Sequence, residues 1–225
     1  MYDIFFLSFS ENNIQKNLTD LANRFPFVKH VHGVKGIDQA HKRCAKQTQT
    51  KFFYVVDAET EVLDTFSFGF VAPEIGTYVW RSLNPVNDLS YGWGGIKLLH
   101  KDPVLAFNQQ NWVDFSTSLG CGFHPIDQIA SVSHFNTSPF ATWKAAFREA
   151  AKLSSRIIGN TDEKETIQRL EQWCTVGFGK PFGVYSIDGA KRGREFGKTS
   201  SLHLINDYDW LADQFSNTNL GSIDK

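Results

Sequence analysis

Cysteine is scarce in this chain and never paired. Cys44, Cys121 and Cys174 are scattered through 225 residues with no Cys-x-x-Cys, so neither a disulfide framework nor a cysteine zinc site is indicated, and reduced, mostly buried thiols are expected. Long hydrophobic runs are missing too. No apolar stretch approaches the ~18 residues of a membrane span. The opening MYDIFFLSFSENN is apolar but lacks the basic flank and long core of a secretory signal. A cytoplasmic protein with no membrane partner is the expectation. There is no G-x-G-x-x-G after the first apolar run and no G-x-x-x-x-G-K-[ST], which disfavours a dinucleotide dehydrogenase and a P-loop NTPase. Neither charge sign dominates: 23 Lys and Arg against 24 Asp and Glu leave a formal charge of −1. Any contact with nucleic acid therefore needs a local patch. Internal repeats, low-complexity segments and linkers are absent from the sequence.

What is present is the composition of a folded protein, 41% hydrophobic and 21% charged. Residues 2–8 read as a strand buried on both faces. Ser10 can cap a following helix in which Ile14, Leu18, Leu21, Ala22 and Phe25 recur at three- and four-residue steps, and Pro26 marks its end. Residues 27–32 form a second strand. Gly33 to Gly36 then turns into a second helix with Ile37, Ala40, Cys44 and Ala45 facing inward, and residues 52–57 (FFYVVD) are the third strand. This is a βαβαβ unit, for which right-handed crossovers and a parallel sheet are expected, a half-domain of nucleotide-binding type. Further on, residues 65–70 can form an edge strand and residues 77–82 another. Residues 142–156 make the clearest helix, with Trp143, Ala146, Phe147, Ala150 and Leu153 in one stripe. Asn160 with Glu163 can cap the next helix, which buries Ile167, Leu170 and Trp173. A strand at 184–187, a mobile basic loop at 188–198 and a strand turning into a short helix at 202–215 complete the reading.

The third strand ends in carboxylates. In an open α/β sheet ligands bind beyond that edge, so Asp57 and Glu59 stand where a divalent metal and a phosphate can meet; the alternative is an acidic loop after a strand. In residues 87–99, Gly92, Gly94 and Gly95 surround Trp93, so the backbone can pass close to a ligand while the indole offers a flat face for a sugar. The alternative there is a glycine-rich hairpin with a core tryptophan. Asp114 is a candidate third carboxylate or a hydrogen-bonded turn acid. His134, after the short run IASVS, is a candidate cation ligand or a satisfied structural histidine, and His124 and His203 share the second reading. Lys191, Arg192 and Arg194, with Lys198 among glycines, suit the phosphates of a nucleotide or of a nucleic acid backbone, or simply a solvated surface.

FFYVVDAETEVLD is similar to the strand and Asp-x-Asp region of family 2 type glycosyltransferases of the GT-A fold, and YGWGGIKLL resembles the glycine-tryptophan acceptor loop of some GT-A enzymes. The strings HGVKGIDQAHKRCA, VWRSLNPVNDLSYGWGGIKLL and TSPFATWKAAFREAAKL together resemble a bacteriophage group of glycosyltransferases, within which stand the enzymes that glycosylate hydroxymethylated cytosine in phage DNA, arabinosyltransferases included. The resemblance covers residues 2–156, with an echo in INDYDWL. It implies one α/β, GT-A-like domain over residues 1–225, a Rossmann-type mixed sheet with flanking helices. Its donor half would be 1–82, its acceptor half 83–215, and 216–225 a flexible tail.

The same resemblance implies a UDP-sugar donor, pentose such as arabinose or hexose, and a Mn2+ or Mg2+ ion held by Asp57 and Glu59 with His134 as third ligand. Lys35, Asp57, Lys191, Arg192 and Arg194 would contact the donor. Tyr91, Trp93, Gly94 and Gly95 would form the acceptor wall. DNA containing hydroxymethylcytosine would be the partner, in the cytoplasm of the infected host cell, with no protein partner evident. Two departures stand out. Glu59 replaces the usual second Asp, and Ile96-Lys97 occupy positions where several GT-A enzymes carry acids, a catalytic base among them. A base would then come from elsewhere, Asp114 first and Asp88 behind it. A glycan or protein acceptor, favoured by the neutral net charge, and a non-catalytic nucleotide-binding module, favoured by the two departures, are the competing readings.

Overall fold

Strand and helix alternate as the apolar periodicity predicts: β1 (Asp3–Ser8), α1 (Ile14–Arg24), β2 (Lys29–His32), α2 (Ile37–Gln47) and β3 (Phe52–Asp57). The structure is a computed structural model that describes residues 1–157, 162–199, 201–218 and 220, with Trp93 described by its backbone alone. β1 pairs in parallel with both β2 and β3. Next come β4 (Thr60–Val62), β5 (Thr77–Leu83), β6 (Ser90–His100), the short helices α3 (Lys101–Ala106) and α4 (Phe115–Ser118), and β7 (Phe123–Ser133). The seven strands run in the order β2-β1-β3-β6-β5-β7-β4. β6 is antiparallel to β3 and β5, β7 is parallel to β5, and β4 is antiparallel to β7. A parallel Rossmann-type half extended by an antiparallel strand, with helices flanking it, is the GT-A-like mixed α/β sheet that the sequence implies.

All seven strands lie in the first of two compact units, residues 1–84, 90–110 and 115–134. FFYVV of β3 is buried throughout, its backbone paired with strands on both edges and Tyr54 and Val56 covered by α1 and by Phe66 and Phe68. Leu21 of α1, with Ile14, Leu18 and Phe25 beside it, packs on Ile4, Phe6, Tyr54 and Val56. The residue before α1 is Asn13 rather than Ser10, and its side chain donates to the His134 carbonyl instead of capping the helix. Residues 65–70 are not a strand. Their alternation has another cause: Phe66, Phe68 and Phe70 insert among Tyr54, Tyr78 and Trp80 at ring separations of 4.9–5.5 Å. Alternating aromatics on an irregular segment mimic the strand period.

Asp3 clamps the start of β1. It accepts from Lys29 Nζ at 2.8 Å, the Thr48 hydroxyl at 2.8 Å and the Gln49 N–H at 2.7 Å. Burial pushes its pKa up, but these three donors outweigh it and hold the carboxyl below the ordinary aspartate value. A depressed folded pKa contributes stability above the unfolded value and loses it as pH falls through the folded one. Asp3→Asn is therefore expected to lower stability at pH 7 by about 1–2 kcal/mol and to flatten the acid limb below about pH 4. Urea melts from pH 2 to 7 check this, and parallel profiles for the two proteins would contradict it.

The second unit, residues 85–89, 111–114 and 135 onward, is helical. It holds α5 (Pro139–Ser155), α6 (Glu163–Thr175), α7 (Gly183–Phe196), a 3-10 turn (Leu202–Asn206) and α8 (Tyr208–Ser216). β6 and β7, from the stretch assigned to an acceptor half, join the sheet of the first unit instead. α5 is the expected helix, begun by the Ser138 side chain accepting from the Ala141 N–H, with the expected stripe buried. α6 is capped by Asp162, which accepts from the Lys164 and Glu165 N–H groups; the expected cap Asn160 lies outside the described residues. Of the three residues expected to be buried, Trp173 is, with Cys174 beside it, whereas Leu170 is half-buried and Ile167 exposed. Leu202 starts a 3-10 turn, not a strand, burying Leu202 and Ile205 three apart. Residues 219 and 221–225, most of the expected tail, also lie outside the described residues.

The largest correction is α7. Residues 184–187 are not a strand and 188–198 are not a mobile loop; one helix runs through both. Its glycines do the packing. A Cβ on Gly189, Gly193 or Gly197 would collide with the carbonyl oxygen of Trp143, Phe147 or Ala151, respectively. Both sets are spaced by four, so one ridge of α7 lies directly on the backbone of α5. Only glycine allows that approach. Trp143 Nε1 seals the seam by donating to Asp188 at 2.8 Å. Among the described residues no helix is long and apolar enough to cross a membrane.

Candidate functional site

The parallel half of the sheet brings the ends of β1, β2 and β3 to one edge. There the Ala58 N–H donates to the Leu7 carbonyl at 2.9 Å and the Gly33 N–H to the Ser8 carbonyl at 3.0 Å. Asn17, buried on α1, donates to the Ala58 carbonyl at 2.8 Å and holds the turn after β3. β3 is also where the sheet changes from parallel to antiparallel pairing. Ile96 of β6 stands opposite Val56, so Gly95 and Gly94 come up beside Asp57. The expected glycine-tryptophan loop is part of β6, and its backbone forms an irregularity: β5 pairs Val79 with Lys97 but Arg81 with Gly92. Gly94, at φ +85°, lies inside it. Gly95 is needed for a different reason, since a Cβ there would sit 2.5 Å from the Thr60 hydroxyl.

Asp57 is held by Lys97, which in the sequence stands out only as a departure from the acidic pattern. Lys97 Nζ lies 3.0 and 2.9 Å from its two carboxylate oxygens. The lysine side chain is 7% exposed and the aspartate 34%, so the ammonium is buried beneath the carboxylate, which faces outward. Cys44 of α2 is close enough to feel both charges, and burial pushes its thiol up to about 12. At neutral pH it is neither nucleophile nor metal ligand. The signal for Lys97 was in the sequence: a lone lysine inside the strand run ILL must find an acid to be buried at all.

Glu59 and His134 meet through the backbone, the His134 N–H donating to the Glu59 carbonyl at 2.7 Å. The His134 ring turns to Glu61, Nε2 to Oε2 at 3.0 Å, and Glu61 also pairs with Lys16 of α1 at 3.4 Å. Among the described residues no three His, Cys, Asp or Glu side chains form a group that could hold a metal ion. The donor set itself does not suit the expected Mn2+ or Mg2+: Asp57 is bonded to an ammonium and His134 to Glu61. A second unforeseen cluster sits at the same edge. The Ser8 hydroxyl lies 2.7 Å from His30 Nε2 and 2.8 Å from His32 Nδ1. Since Ser8 has one proton to give, the tautomers of the two rings are coupled through it. Burial and the neighbouring imidazole hold His30 below the ordinary histidine pKa. The H-x-H alternation on a strand was its signal.

Tyr91 is buried near the start of β6, and Lys35 is exposed in the turn before α2. The remaining expected residues lie in the second unit. Lys191, Arg192 and Arg194 are on α7; Arg192 pairs with Asp188 at 2.8 Å and Arg194 with Glu171 at 3.4 Å. Asp88, at φ +59°, is exposed and lies 3.5 Å from Lys180. Asp114 pairs with Lys152 at 3.2 Å. Burial works against the charge on Lys152, but Asp114 and Glu149 prevail and hold its pKa above the usual lysine value. Asp114 thus serves as a structural counter-ion. His124 stacks on Tyr78 at 4.8 Å, the structural role foreseen for it.

No protein-family profile and no curated protein matches the chain. Solved structures are similar to it at low identity. A mannosyltransferase, PcManGT from Pyrobaculum calidifontis, in complex with GDP-Man and Mn2+, is 9% identical over 96% of this chain and 82% of its own, at a TM-score of 0.44. HddC from Yersinia pseudotuberculosis is 14% identical over 58% of this chain and 92% of its own, at 0.40. A glycosyltransferase involved in the glycosylation of the major capsid of PBCV-1 is 12% identical over 56% and 82%, at 0.37.

Proposed function

We propose that this chain is a glycosyltransferase that binds a UDP-sugar at the carboxyl end of β3 and moves the sugar to the hydroxymethyl group of modified cytosine in phage DNA. The observation that carries the donor half is the register of β3 with β6, which sets the Gly94-Gly95 backbone beside an outward-facing Asp57 where pairing changes from parallel to antiparallel. The carboxyl ends of the strands, where the pairing switches, are where open α/β sheets take nucleotides. The acceptor half rests on the sequence resemblance. In the reaction the bond from the anomeric carbon to the diphosphate oxygen breaks, UDP leaves, and the hydroxymethyl oxygen bonds to that carbon while its proton is released to solvent. A base in duplex DNA must leave the stack to be reached. Asp88 and Asp114 belong to the second unit and are assigned no part in the donor half-site. No step is assigned to a divalent ion.

Incubation with a panel of UDP-sugars and hydroxymethylcytosine DNA, followed by mass analysis of the nucleosides, tests this. One modified nucleoside should gain a pentose or hexose, and transfer should fall steeply with salt as phosphate contacts are lost. Transfer only to glycans or proteins would sink the DNA assignment. A non-catalytic nucleotide-binding module is the second reading, favoured by the commitment of Asp57 to Lys97. UDP binding without donor hydrolysis or transfer would decide for it.

A further inference from the structure

The acid at the end of β3 and the cation beneath it form a closed pair. A carboxylate facing a diphosphate repels it, and a divalent ion bridging the two would remove that repulsion. Here the repulsion is already cancelled, because Lys97 Nζ contacts both oxygens of Asp57 at 3.0 and 2.9 Å from a buried position. An ion approaching Asp57 would have to displace that ammonium or sit beside it, and the buried side of the pair screens the two positive charges only weakly. The neighbouring His134 is turned to Glu61, and the Cys44 thiol stays protonated at neutral pH.

We infer that Lys97 is the resident cation of this strand end and that the chain binds its nucleotide without a divalent ion, Asp57 acting as a hydrogen-bond acceptor positioned by Lys97. This rests on the reading of the β3 edge as the donor site. Lys97 is a positioning residue, acting through Asp57. Removing its charge should convert the site: Lys97→Met, of similar length and suited to a buried place, leaves Asp57 anionic and open to a cation.

Two probes test it, UDP and Mn2+ alone. In calorimetry the wild-type affinity for UDP should change less than twofold between EDTA and Mn2+. In Lys97→Met it should fall tenfold or more in EDTA and recover with Mn2+. By the loss of the free-ion paramagnetic resonance signal, Mn2+ alone should bind Lys97→Met at least tenfold more tightly than the wild type. Lys97→Gln serves as a second variant if the first does not fold. A wild type whose UDP binding collapses in EDTA, or variants that gain no Mn2+ affinity, overturns the inference. If UDP binds under no condition, the donor reading fails, while the Mn2+ comparison still decides whether Lys97 keeps a cation off Asp57.

Discussion

Gly193→Val should strongly destabilise the second unit. Its side chain would enter the space held by the Phe147 carbonyl oxygen, with Gly189 and Gly197 one turn away in the same seam. The atoms it would meet are all Phe147 backbone, not the end of a flexible side chain, so relief requires α5 and α7 to separate. That would expose Trp143, Phe147 and Tyr185, which are buried among Leu202, Ile205 and Leu211. Overpacking of this kind costs about 3 kcal/mol or more, out of a typical total of about 5–15. Lys191→Val, on the exposed side of the same helix, changes only helix propensity and should cost about 0.5 kcal/mol. Thermal melts followed by far-ultraviolet circular dichroism distinguish them. A Gly193→Val midpoint within about 2 °C of the wild type would refute the close seam.

The second large effect belongs to Asp57 and Lys97. Asp57→Asn leaves a 7% exposed ammonium without its counter-charge, and orphaning one member of a buried pair costs about 3–5 kcal/mol. Because Asp57 is one-third exposed, water can reach the site, and about 2–4 kcal/mol is expected. Lys97→Met should cost less, since the freed carboxylate is the more exposed partner. The double variant Asp57→Asn/Lys97→Met should recover most of the loss, a coupling that a double-mutant cycle in urea measures. Additive losses would mean that the pair contributes nothing. The double variant also separates folding from function: it should be stable and yet lack sugar transfer, because its acceptor at the end of β3 is gone. Full transfer by the double variant would remove Asp57 from the donor site.

The first 57 residues were legible because period and punctuation agree there. Strands of β-branched and aromatic residues alternate with amphipathic helices, and the second strand is bracketed by Pro26 before it and by Gly33 and Gly36 after it. The position of Asp57 at the strand edge followed from that frame. What β6 does to it did not follow, because Lys97 lies 40 residues away and only the antiparallel register opposite Val55 makes them partners. α7 was misread for a different reason. VYSI is short enough to suit strand or helix, and glycine beside arginine and lysine looks like a loop. The four-residue spacing of Gly189, Gly193 and Gly197 carried the helix signal, and its meaning depends on the facing backbone of α5.

The two excursions of the chain, residues 85–89 and 111–114, belong to the helical unit although sheet strands precede, separate and follow them. They are pinned there: Gln172 donates to the Asn87 carbonyl at 2.5 Å, Asn206 to the Trp112 and Val113 carbonyls at 2.9 and 3.2 Å, and Lys152 to Asp114. Neither unit is therefore a continuous stretch of gene. A recombination joint at residue 134 would deliver a helical half stripped of nine residues that complete it, and a sheet half carrying segments meant for something else. The helical half cannot be traded as a cassette, and change within it should arise by point substitution, not by shuffling.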